Sequence, residues 1–380
     1  MRVAIVHDWL GPMTGAERVL QQLLACYPGA DVFTTVDFLA PEHRAAVLGG
    51  ARVITSFVQH LPGARTRYWD YIPLMPLAVE QFDLTGYDLV LSASHTIAKG
   101  VVVQPEQVHV CYLMSPPRFA WDLQPMYLSA FGADEGVRGA LARIALAGLR
   151  LWDTASAARV DVFVASSRYV ARRAEICYRR DSEVVYPPVD VDFYAPDERV
   201  ARDDFYLAAS RLTPFKRLDL VVDAFARLPD RRLVVIGDGP ERDALRARAG
   251  TNVTLLGYQS DEVLRDHMRR ARAFVFAAPE DFGIVMAEAQ ACGTPVIALG
   301  RGGALEIVRG LDADAPTGVH FAEQTAESLC DAVRRFEDAA ARITPAACRA
   351  SAERFTPAAF RAGITARVDA AIARYGNWRR

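Results

Sequence analysis

Residues 274–298 read FVFAAPEDFGIVMAEAQACGTPVIA, and this stretch decides the fold prediction. It contains a short apolar strand, a loop with a carboxylate, a helix that begins near Gly283 and stops at Gly293, and a second strand after Pro295. Strand, helix and strand in this order are typical of a parallel sheet with helices on its faces. The free backbone N–H groups at the start of the helix suit phosphate or sugar oxygens.

Two glutamates accompany the start of this helix. Glu280 lies just before it and Glu288 lies about one turn inside it, so both carboxylates are candidates to accept hydrogen bonds from the hydroxyls of one ligand. The alternative is structural: an acidic residue favoured by the helix dipole, together with a solvated glutamate.

Short apolar runs alternate with helical stretches in two successive series. The first series of predicted strands is Val3–Val6, Asp88–Leu91, Val108–Tyr112 and Asp161–Ala165. The second series is Phe205–Ala208, Leu233–Ile236, Val253–Leu256, Ala273–Phe276 and Pro295–Ala298. Two such series predict an α/β protein with two Rossmann-like, doubly wound parallel sheets.

The length of 380 residues exceeds what one hydrophobic core usually supports. Two prolines at Tyr186–Asp192 predict an extended link between the sheets. We therefore expect an N-terminal domain at 1–187 and a C-terminal domain at 188–355. The segment 356–380 has a helical pattern, and we expect it to return to the first domain.

A loop with two cations follows the strand Phe205–Ala208. It reads ASRLTPFKR over 209–217 and places Arg211 and Lys216 directly after a strand end. A departing nucleoside diphosphate needs such positive charge. Lys216 is one of only two lysines, the other being Lys99, in a chain otherwise rich in arginine. A solvated basic loop is the structural alternative.

Two glycine-containing turns follow other predicted strands. Gly237 begins a G-D-G-P turn that either approaches a nucleotide or serves only as a turn. The run GPMTG at 11–15 is not a dinucleotide-binding fingerprint, but Gly15 at a helix start allows backbone to approach a phosphate.

Composition narrows the class of protein. A net charge of −2 argues against a nucleic-acid binder that relies on a basic field. The six cysteines have no metal-ligand spacing, so we expect reduced thiols and no bound metal. We expect neither a signal peptide nor a membrane-spanning stretch, and hence a cytoplasmic protein.

The spacing of the two glutamates, and that of the arginine and the lysine, resemble the motifs of a known protein family. Glu280 and Glu288 stand in an E-x7-E pattern, and Arg211 and Lys216 in an R-x4-K pattern, as in family 4 retaining glycosyltransferases of the GT-B fold. The N-terminal half resembles a bacterial branch associated with O-antigen and exopolysaccharide mannosyl transfer. The supporting runs are VHDWL at 6–10, GAERV at 15–19, LMPLA at 74–78, SHTIAKG at 94–100 and RFAWD at 118–122.

The resemblance implies two domains facing each other across a cleft, with the donor nucleotide-sugar held there without metal or other cofactor. Arg211 and Lys216 would hold the diphosphate, Glu280 would act with them in catalysis, and Glu288 would bind the ribose. The other implied donor-binding positions are Gly15, Gly237, Phe282, Gly283, Ile284 and Val285. The resemblance also implies retention of configuration, and we favour same-face attack in which the departing phosphate helps to deprotonate the acceptor hydroxyl.

One position departs from that branch. A histidine commonly precedes the Ser-Pro pair that here is Ser115-Pro116, but this chain has Met114. In the family that histidine approaches the sugar near its C6 hydroxyl, and methionine cannot make this hydrogen bond. Two interpretations stay open: a donor with a 6-deoxyhexose such as rhamnose, or weakened activity.

The acceptor side is less defined. His95 and Arg118 follow predicted strands of the first domain and are acceptor candidates, although a structural role is an equal alternative. The segment 136–152 mixes apolar residues with arginines. It predicts either an amphipathic helix packed on the first sheet or a membrane-surface helix near a polyprenyl-diphosphate-linked acceptor. Arg65, Arg67 and Trp69 give a similar basic and aromatic pattern.

The sequence therefore predicts a hexosyltransferase that uses a nucleoside diphosphate donor, with GDP-mannose or a GDP-6-deoxyhexose preferred, in the synthesis of bacterial surface polysaccharide. Two alternatives remain. One is a GT-B sugar-nucleotide epimerase, and the other is a degenerate scaffold subunit of a polysaccharide assembly complex.

Overall fold

The structure, a computed structural model, describes residues 1–11 and 15–376. Pro12, Met13 and Thr14 of the first glycine turn, and Asn377 and Trp378 of the predicted C-terminal segment, lie outside the described residues. The chain divides into two compact units, Met1–Pro188 with Pro357–Arg380 and Val189–Thr356.

The first unit contains a seven-stranded parallel sheet in the order β3-β2-β1-β4-β5-β6-β7. Its strands are β1 Val3–His7, β2 Asp31–Thr34, β3 Val53–Thr55, β4 Leu89–Ser94, β5 Val108–Leu113, β6 Val162–Ala165 and β7 Ser182–Val184. Its helices before the second unit are α1 Gly15–Cys26, α2 Pro41–Leu48, α3 Ala64–Arg67, α4 Met75–Glu80, α5 Gln124–Ala130, α6 Gly136–Ser156 and α7 Arg168–Tyr178.

The second unit contains a six-stranded parallel sheet in the order β10-β9-β8-β11-β12-β13. Its strands are β8 Phe205–Ala209, β9 Arg232–Ile236, β10 Val253–Gly257, β11 Ala273–Phe276, β12 Val296–Leu299 and β13 Gly318–Phe321. Its helices are α8 Leu218–Ala226, α9 Arg242–Arg248, α10 Asp261–Arg270, α11 Ile284–Ala291, α12 Ala304–Ile307, α13 Ala326–Ala339 and α14 Pro345–Ala352.

Each face of the first sheet carries an apolar cluster, because successive side chains of a strand point to opposite faces of the sheet. In β1, Ile5 packs in one apolar cluster while Ala4 and Val6 pack in another. The last helix, α15 (Pro357–Tyr375), adds Phe360, Ile364, Val368 and Ala371 to the cluster of Ile5. This spacing is the apolar stripe of a helix, so burial of the stripe holds α15 on the first unit.

The two parallel sheets and the return of α15 confirm the predicted α/β fold class. Each predicted strand exists, with ends that differ from the prediction by at most three residues. The sequence analysis missed β2, β3, β7 and β13, all of three or four residues.

Helix α6 packs by its C-terminal half. Its buried residues are Gly139, Leu149, Asp153 and Ser156, whereas Val137, Leu141, Ile144 and Leu151 are exposed. The last turns of α6 bury Leu149 together with the polar residues Asp153 and Ser156, so the helix does not pack by a continuous apolar face.

Candidate functional site

The order of the second sheet places a change of direction between β8 and β11. When the six strands of this unit are numbered from its first strand, their order in the sheet is 3-2-1-4-5-6. The chain therefore leads from β8 toward one edge of the sheet and from β11 toward the other edge. Ligands of such sheets bind outside the carboxyl ends of the strands at this point. The loops that follow β8 and β11 carry Lys216 and Glu280.

Lys216 and Glu280 contact each other. The Lys216 ammonium donates a hydrogen bond to the Glu280 carboxylate, and the two form an ion pair. Their side chains are 20% and 14% exposed, so the pair is reachable from solvent but largely desolvated. The ammonium also lies 5.9 Å from the centre of the Phe276 ring, at the end of β11. The structure thus joins one residue of each predicted pair.

Arg211 lies in the same loop as Lys216 and is exposed. The loop is fixed by the G-D-G-P turn, since Ser210 N–H donates to Ile236 O at 3.1 Å and Leu212 N–H donates to Asp238 O at 2.9 Å. A Cβ at Gly237 would lie 1.9 Å from Ser210 O. Gly237 is therefore required by backbone packing, and its predicted contact with the donor stays a prediction.

The start of α11 has the geometry expected from the sequence. Gly283 caps the helix with φ +95°, a left-handed conformation that favours glycine, and Ile284 and Val285 form its first turn. Phe282 is buried, with its ring edge-on to Phe355 at 5.1 Å, so only its backbone is available to a ligand. Glu288 is buried on the same helix.

A glycine pair after β12, which the sequence analysis missed, positions the acidic loop. Gly303 N–H donates to Glu280 O at 2.9 Å, and Gly302 pairs with Glu280 as an isolated bridge. A Cβ at Gly303 would lie 2.0 Å from Phe282 O. The signal was present in the sequence, since two glycines directly after a predicted strand indicate a close approach of backbone.

The first sheet repeats the geometry of the second one. Its order places β1 beside β4 at the change of direction, and the next residues along these strands include Asp8 and His95. His95 Nδ1 lies 2.6 Å from Asp8 Oδ2, and the Asp8 carboxylate accepts hydrogen bonds from the backbone N–H groups of residues 95–98 at 2.5–3.1 Å. Asp8 was noted only as part of the run at 6–10.

Asp8 is ionised in this arrangement although it is completely buried. Burial by itself raises the pKa of the carboxyl, but the charge of His95 and the hydrogen bonds from His95 outweigh burial and lower the pKa to about 2. The His95 ring is thus held beside the Asp8 carboxylate by the ion pair between them.

Met114 lies next to the strand end that carries His95. Its N–H donates to Ser94 O at 2.8 Å, and its half-buried side chain packs against the cluster of Ile5. Arg118 is half-buried in the loop beyond it, and Gly15 is the first residue of α1. The structure therefore brings Met114 and His95 to neighbouring strand ends of one unit.

The second lysine has a structural role. Lys99 is buried, and its ammonium lies 2.7 Å from Asp153 Oδ1 and 2.9 Å from Ser156 Oγ. Trp121 Nε1 donates to the other oxygen of Asp153 at 2.8 Å. This network ties two of the runs that carry the resemblance to α6.

The six cysteines are free thiols, and burial raises the pKa of Cys111 and Cys292 to about 12. Within residues 1–11 and 15–376, no group of three or more His, Cys, Asp or Glu side chains is arranged to hold a metal ion. None of the described helices is long and apolar enough to cross a membrane.

Residues 194–355 match the family described as "Glycosyl transferases group 1". This segment includes Arg211, Lys216, Glu280 and Glu288, the four residues predicted to bind the donor. The match covers less than half of the chain and lies within the second unit.

Curated relatives extend this likeness over part of the chain. A D-inositol 3-phosphate glycosyltransferase of Mycobacterium avium is 35% identical over 192 residues, 43% of this chain and 44% of the relative. The protein of the same name from Mycobacteroides abscessus is 37% identical over 174 residues, 40% of this chain and 38% of the relative. The match thus spans less than half the length of these relatives.

Solved structures resemble the whole chain in fold. The Anabaena protein HepE in complex with UDP has 19% identity and a TM-score of 0.71, with 97% of this chain and 100% of that chain covered. Sucrose-phosphate synthase of Thermosynechococcus elongatus has 16% identity and a TM-score of 0.71, with 98% and 100% covered. The chain therefore has the GT-B fold, as the sequence predicted.

Proposed function

We propose that this chain is a retaining glycosyltransferase that moves a hexose from a nucleoside diphosphate to a saccharide acceptor. The observation that carries the proposal is the contact of Lys216 with Glu280 at the change of direction of the second sheet. Both residues lie in the segment 194–355, which matches the group 1 glycosyl transferases. A cation for the diphosphate and a carboxylate for the sugar are the two groups that a nucleotide-sugar donor requires in adjacent positions.

The donor chemistry follows from these groups. Arg211 and Lys216 neutralise the charge that develops on the departing diphosphate, so no resident metal is needed for this role. Glu280 and the N–H groups at the start of α11 hold the sugar, and Glu288 accepts hydrogen bonds from the ribose hydroxyls. A phosphate oxygen on the leaving side takes the proton of the acceptor hydroxyl, and attack on that same face retains the anomeric configuration.

The donor sugar that we propose depends on Met114. Its thioether side chain offers an apolar contact where related enzymes place a histidine, which favours a 6-deoxyhexose over mannose. GDP is the nucleotide that the bacterial O-antigen branch implies. UDP is the second candidate, because the structural relative HepE is described in complex with UDP.

We also propose that the acceptor is lipid-linked and that α6 contacts an anionic membrane surface. Val137, Leu141, Ile144 and Leu151 are 79%, 62%, 69% and 76% exposed. Their spacing of four, three and seven residues places them on one face of the helix. The segment 136–152 contains three arginines and no acidic residue, which suits anionic lipid headgroups.

A panel of sugar nucleotides tests the donor proposal. We expect GDP-rhamnose, GDP-mannose or UDP-glucose to raise the melting temperature, since a ligand at 100 times its Kd stabilises a fold by about 2.7 kcal/mol. Met114→His is then expected to shift the preference from GDP-rhamnose toward GDP-mannose. An unchanged preference contradicts the role of Met114. Isomerised donor without acceptor indicates an epimerase, and binding with turnover only beside a partner protein indicates a scaffold subunit.

A further inference from the structure

The first unit has a candidate site of its own at the change of direction of its sheet. Strands β1 and β4 are neighbours there, and the rule that places ligands beyond such strand ends applies to both sheets equally. In the second unit that position carries the Lys216–Glu280 pair. In the first unit it carries Asp8 and His95.

Asp8 makes this site rigid. Its buried carboxylate bonds to four successive backbone N–H groups, those of residues 95–98, and to the ring of His95. The Asp8 carboxylate, directly after β1, therefore fixes both the backbone of the turn that follows β4 and the side chain of His95. Because His95 Nδ1 faces Asp8, Nε2 is the ring nitrogen on the side away from that carboxylate.

A second histidine adds a polar group to this site. His7 is 1% exposed, and its ring centre lies 6.4 Å from that of His95. Neither of its ring nitrogens has a hydrogen-bond partner among the residues that the structure describes. Burial lowers the pKa of this imidazole below its ordinary value. Buried polar atoms are usually paired, so such an imidazole beside His95 is typical of a position that binds a polar ligand or water.

An aromatic strip begins at His95. The ring of Trp9 lies edge-on to His95 at 4.6 Å and edge-on to Trp69 at 4.6 Å, and Trp69 lies edge-on to Phe119 at 6.3 Å. Trp9 is buried, but Trp69 is 46% exposed. An exposed tryptophan held by rings on two sides offers an apolar surface at little cost in conformational entropy.

The strip extends toward α6. Phe119 is followed by Tyr127 at 6.1 Å and Tyr127 by Phe131 at 6.4 Å. Phe131 is exposed and stands five residues before the start of α6. The polar end of the strip is thus at His95, and its apolar end is at Phe131, in the segment that leads into α6.

We infer that His95 and Trp69 form the subsite for the acceptor saccharide, with the apolar face of a pyranose ring stacked on Trp69 and one of its hydroxyls hydrogen-bonded to His95 Nε2. The inference rests on the proposed function and names the residues that bind the second substrate. His95 and Trp69 bind the acceptor, and Asp8 is a positioning residue.

Saturation-transfer NMR tests this subsite directly. The probes are methyl α-D-mannopyranoside, methyl α-L-rhamnopyranoside and methyl β-D-glucopyranoside, each added to the full chain with its aromatic protons irradiated. We expect transfer to the ring protons of at least one glycoside with the wild type and with Trp69→Phe, and a loss of at least about fivefold with Trp69→Ala and His95→Ala. Absence of transfer to all three glycosides overturns the inference.

Matched variants separate the subsite from general damage. Tyr258→Ala removes a more exposed aromatic ring from the second unit, and His43→Ala removes an exposed histidine elsewhere in the first unit. Both are expected to bind the glycosides as the wild type does. Equal losses in these controls, or unchanged binding in Trp69→Ala, overturn the inference.

The role of Asp8 has its own readout. Nitrogen-15 NMR of the wild-type imidazoles is expected to show His95 with its proton on Nδ1, and a proton on Nε2 alone contradicts the assignment. Thermal shifts with UDP and GDP are measured in parallel. Nucleotide binding with no glycoside binding overturns the subsite alone, whereas glycoside binding without any nucleotide binding contradicts the proposed function.

Discussion

Lys216 and Glu280 form an ion pair although 64 residues separate them in the chain. Each belongs to one of the two sequence patterns from which the donor site was predicted, and the contact shows that the patterns meet at neighbouring strand ends. An ammonium has three N–H donors, so Lys216 can keep Glu280 and still donate to a diphosphate oxygen. In the proposed donor complex, the pair would connect the leaving group with the sugar.

Replacement of Lys216 by alanine is expected to lower kcat/KM about 10²–10³-fold, the usual cost of removing one donor to a developing negative charge. Stability is expected to change by about 1 kcal/mol or less, because partly exposed ion pairs contribute little. Arg248→Ala is the control, since it removes an exposed arginine paired with Asp223 in the same unit. A Lys216→Ala enzyme with more than half of the wild-type activity contradicts the assignment.

The two glutamates are expected to differ in what they bind. Glu288→Gln should weaken the binding of free UDP or GDP about tenfold, because it loses charge-assisted hydrogen bonds to the ribose. Glu280→Gln should leave that binding within about twofold and lower turnover about 100-fold, because the sugar is the part of the donor that we expect Glu280 to contact. Calorimetric titrations with the nucleotides, beside initial rates, distinguish the two. Equal weakening by both changes shows that the roles were assigned wrongly.

Gly303 is expected to tolerate no side chain. A Cβ there would lie 2.0 Å from Phe282 O, so Gly303→Ala must displace the loop that carries Glu280. We expect a loss of about 1–3 kcal/mol in the free energy of unfolding and a parallel loss of turnover. Gly148→Ala is the control, because nothing lies within 4 Å of a Cβ there and alanine favours its helix by up to about 1 kcal/mol. A fully active and stable Gly303→Ala protein contradicts this account.

Asp8 is expected to make stability depend on acidic pH. Its pKa is about 2 in the folded chain against an ordinary value of 3.8, so its stabilisation is present above about pH 4 and is lost as the pH falls toward 2. Urea unfolding should show that the wild type loses on the order of 2–3 kcal/mol more than Asp8→Asn across this range. Asp266→Asn, at an exposed carboxylate, should follow the wild type. Parallel curves for wild type and Asp8→Asn contradict the prediction.

The exposed face of α6 is expected to bind anionic vesicles. Replacing both Leu141 and Ile144 by serine should weaken binding to phosphatidylglycerol-containing vesicles at least about tenfold. Each side chain is expected to contribute on the order of 1 kcal/mol when it becomes partly buried in the vesicle surface. Leu305→Ser, at an exposed leucine of the second unit, is the control. Added salt should weaken binding through the arginines. If the wild type binds no vesicles but self-associates, and the double variant does not self-associate, the exposed face of α6 binds a second copy of this chain instead of a membrane.

Local features of this chain were predictable because they depend on neighbouring residues. Apolar runs bounded by glycine and proline predicted strands such as β11, and glycines predicted the start of α11 at Gly283 and its end at Gly293. The strands that were missed are three or four residues long, and β3, β7 and β13 lie at sheet edges. Such strands bury too few side chains to leave a periodic signal.

Contacts between distant residues were not predictable from the same patterns. The sequence indicated that Lys216, Glu280 and His95 follow strands. Which strand ends become neighbours depends on the order of strands in each sheet, which results from packing over the whole unit. The pairing of Lys216 with Glu280, the burial of Asp8 beneath His95, and the support of the acidic loop by Gly303 therefore became visible only in three dimensions.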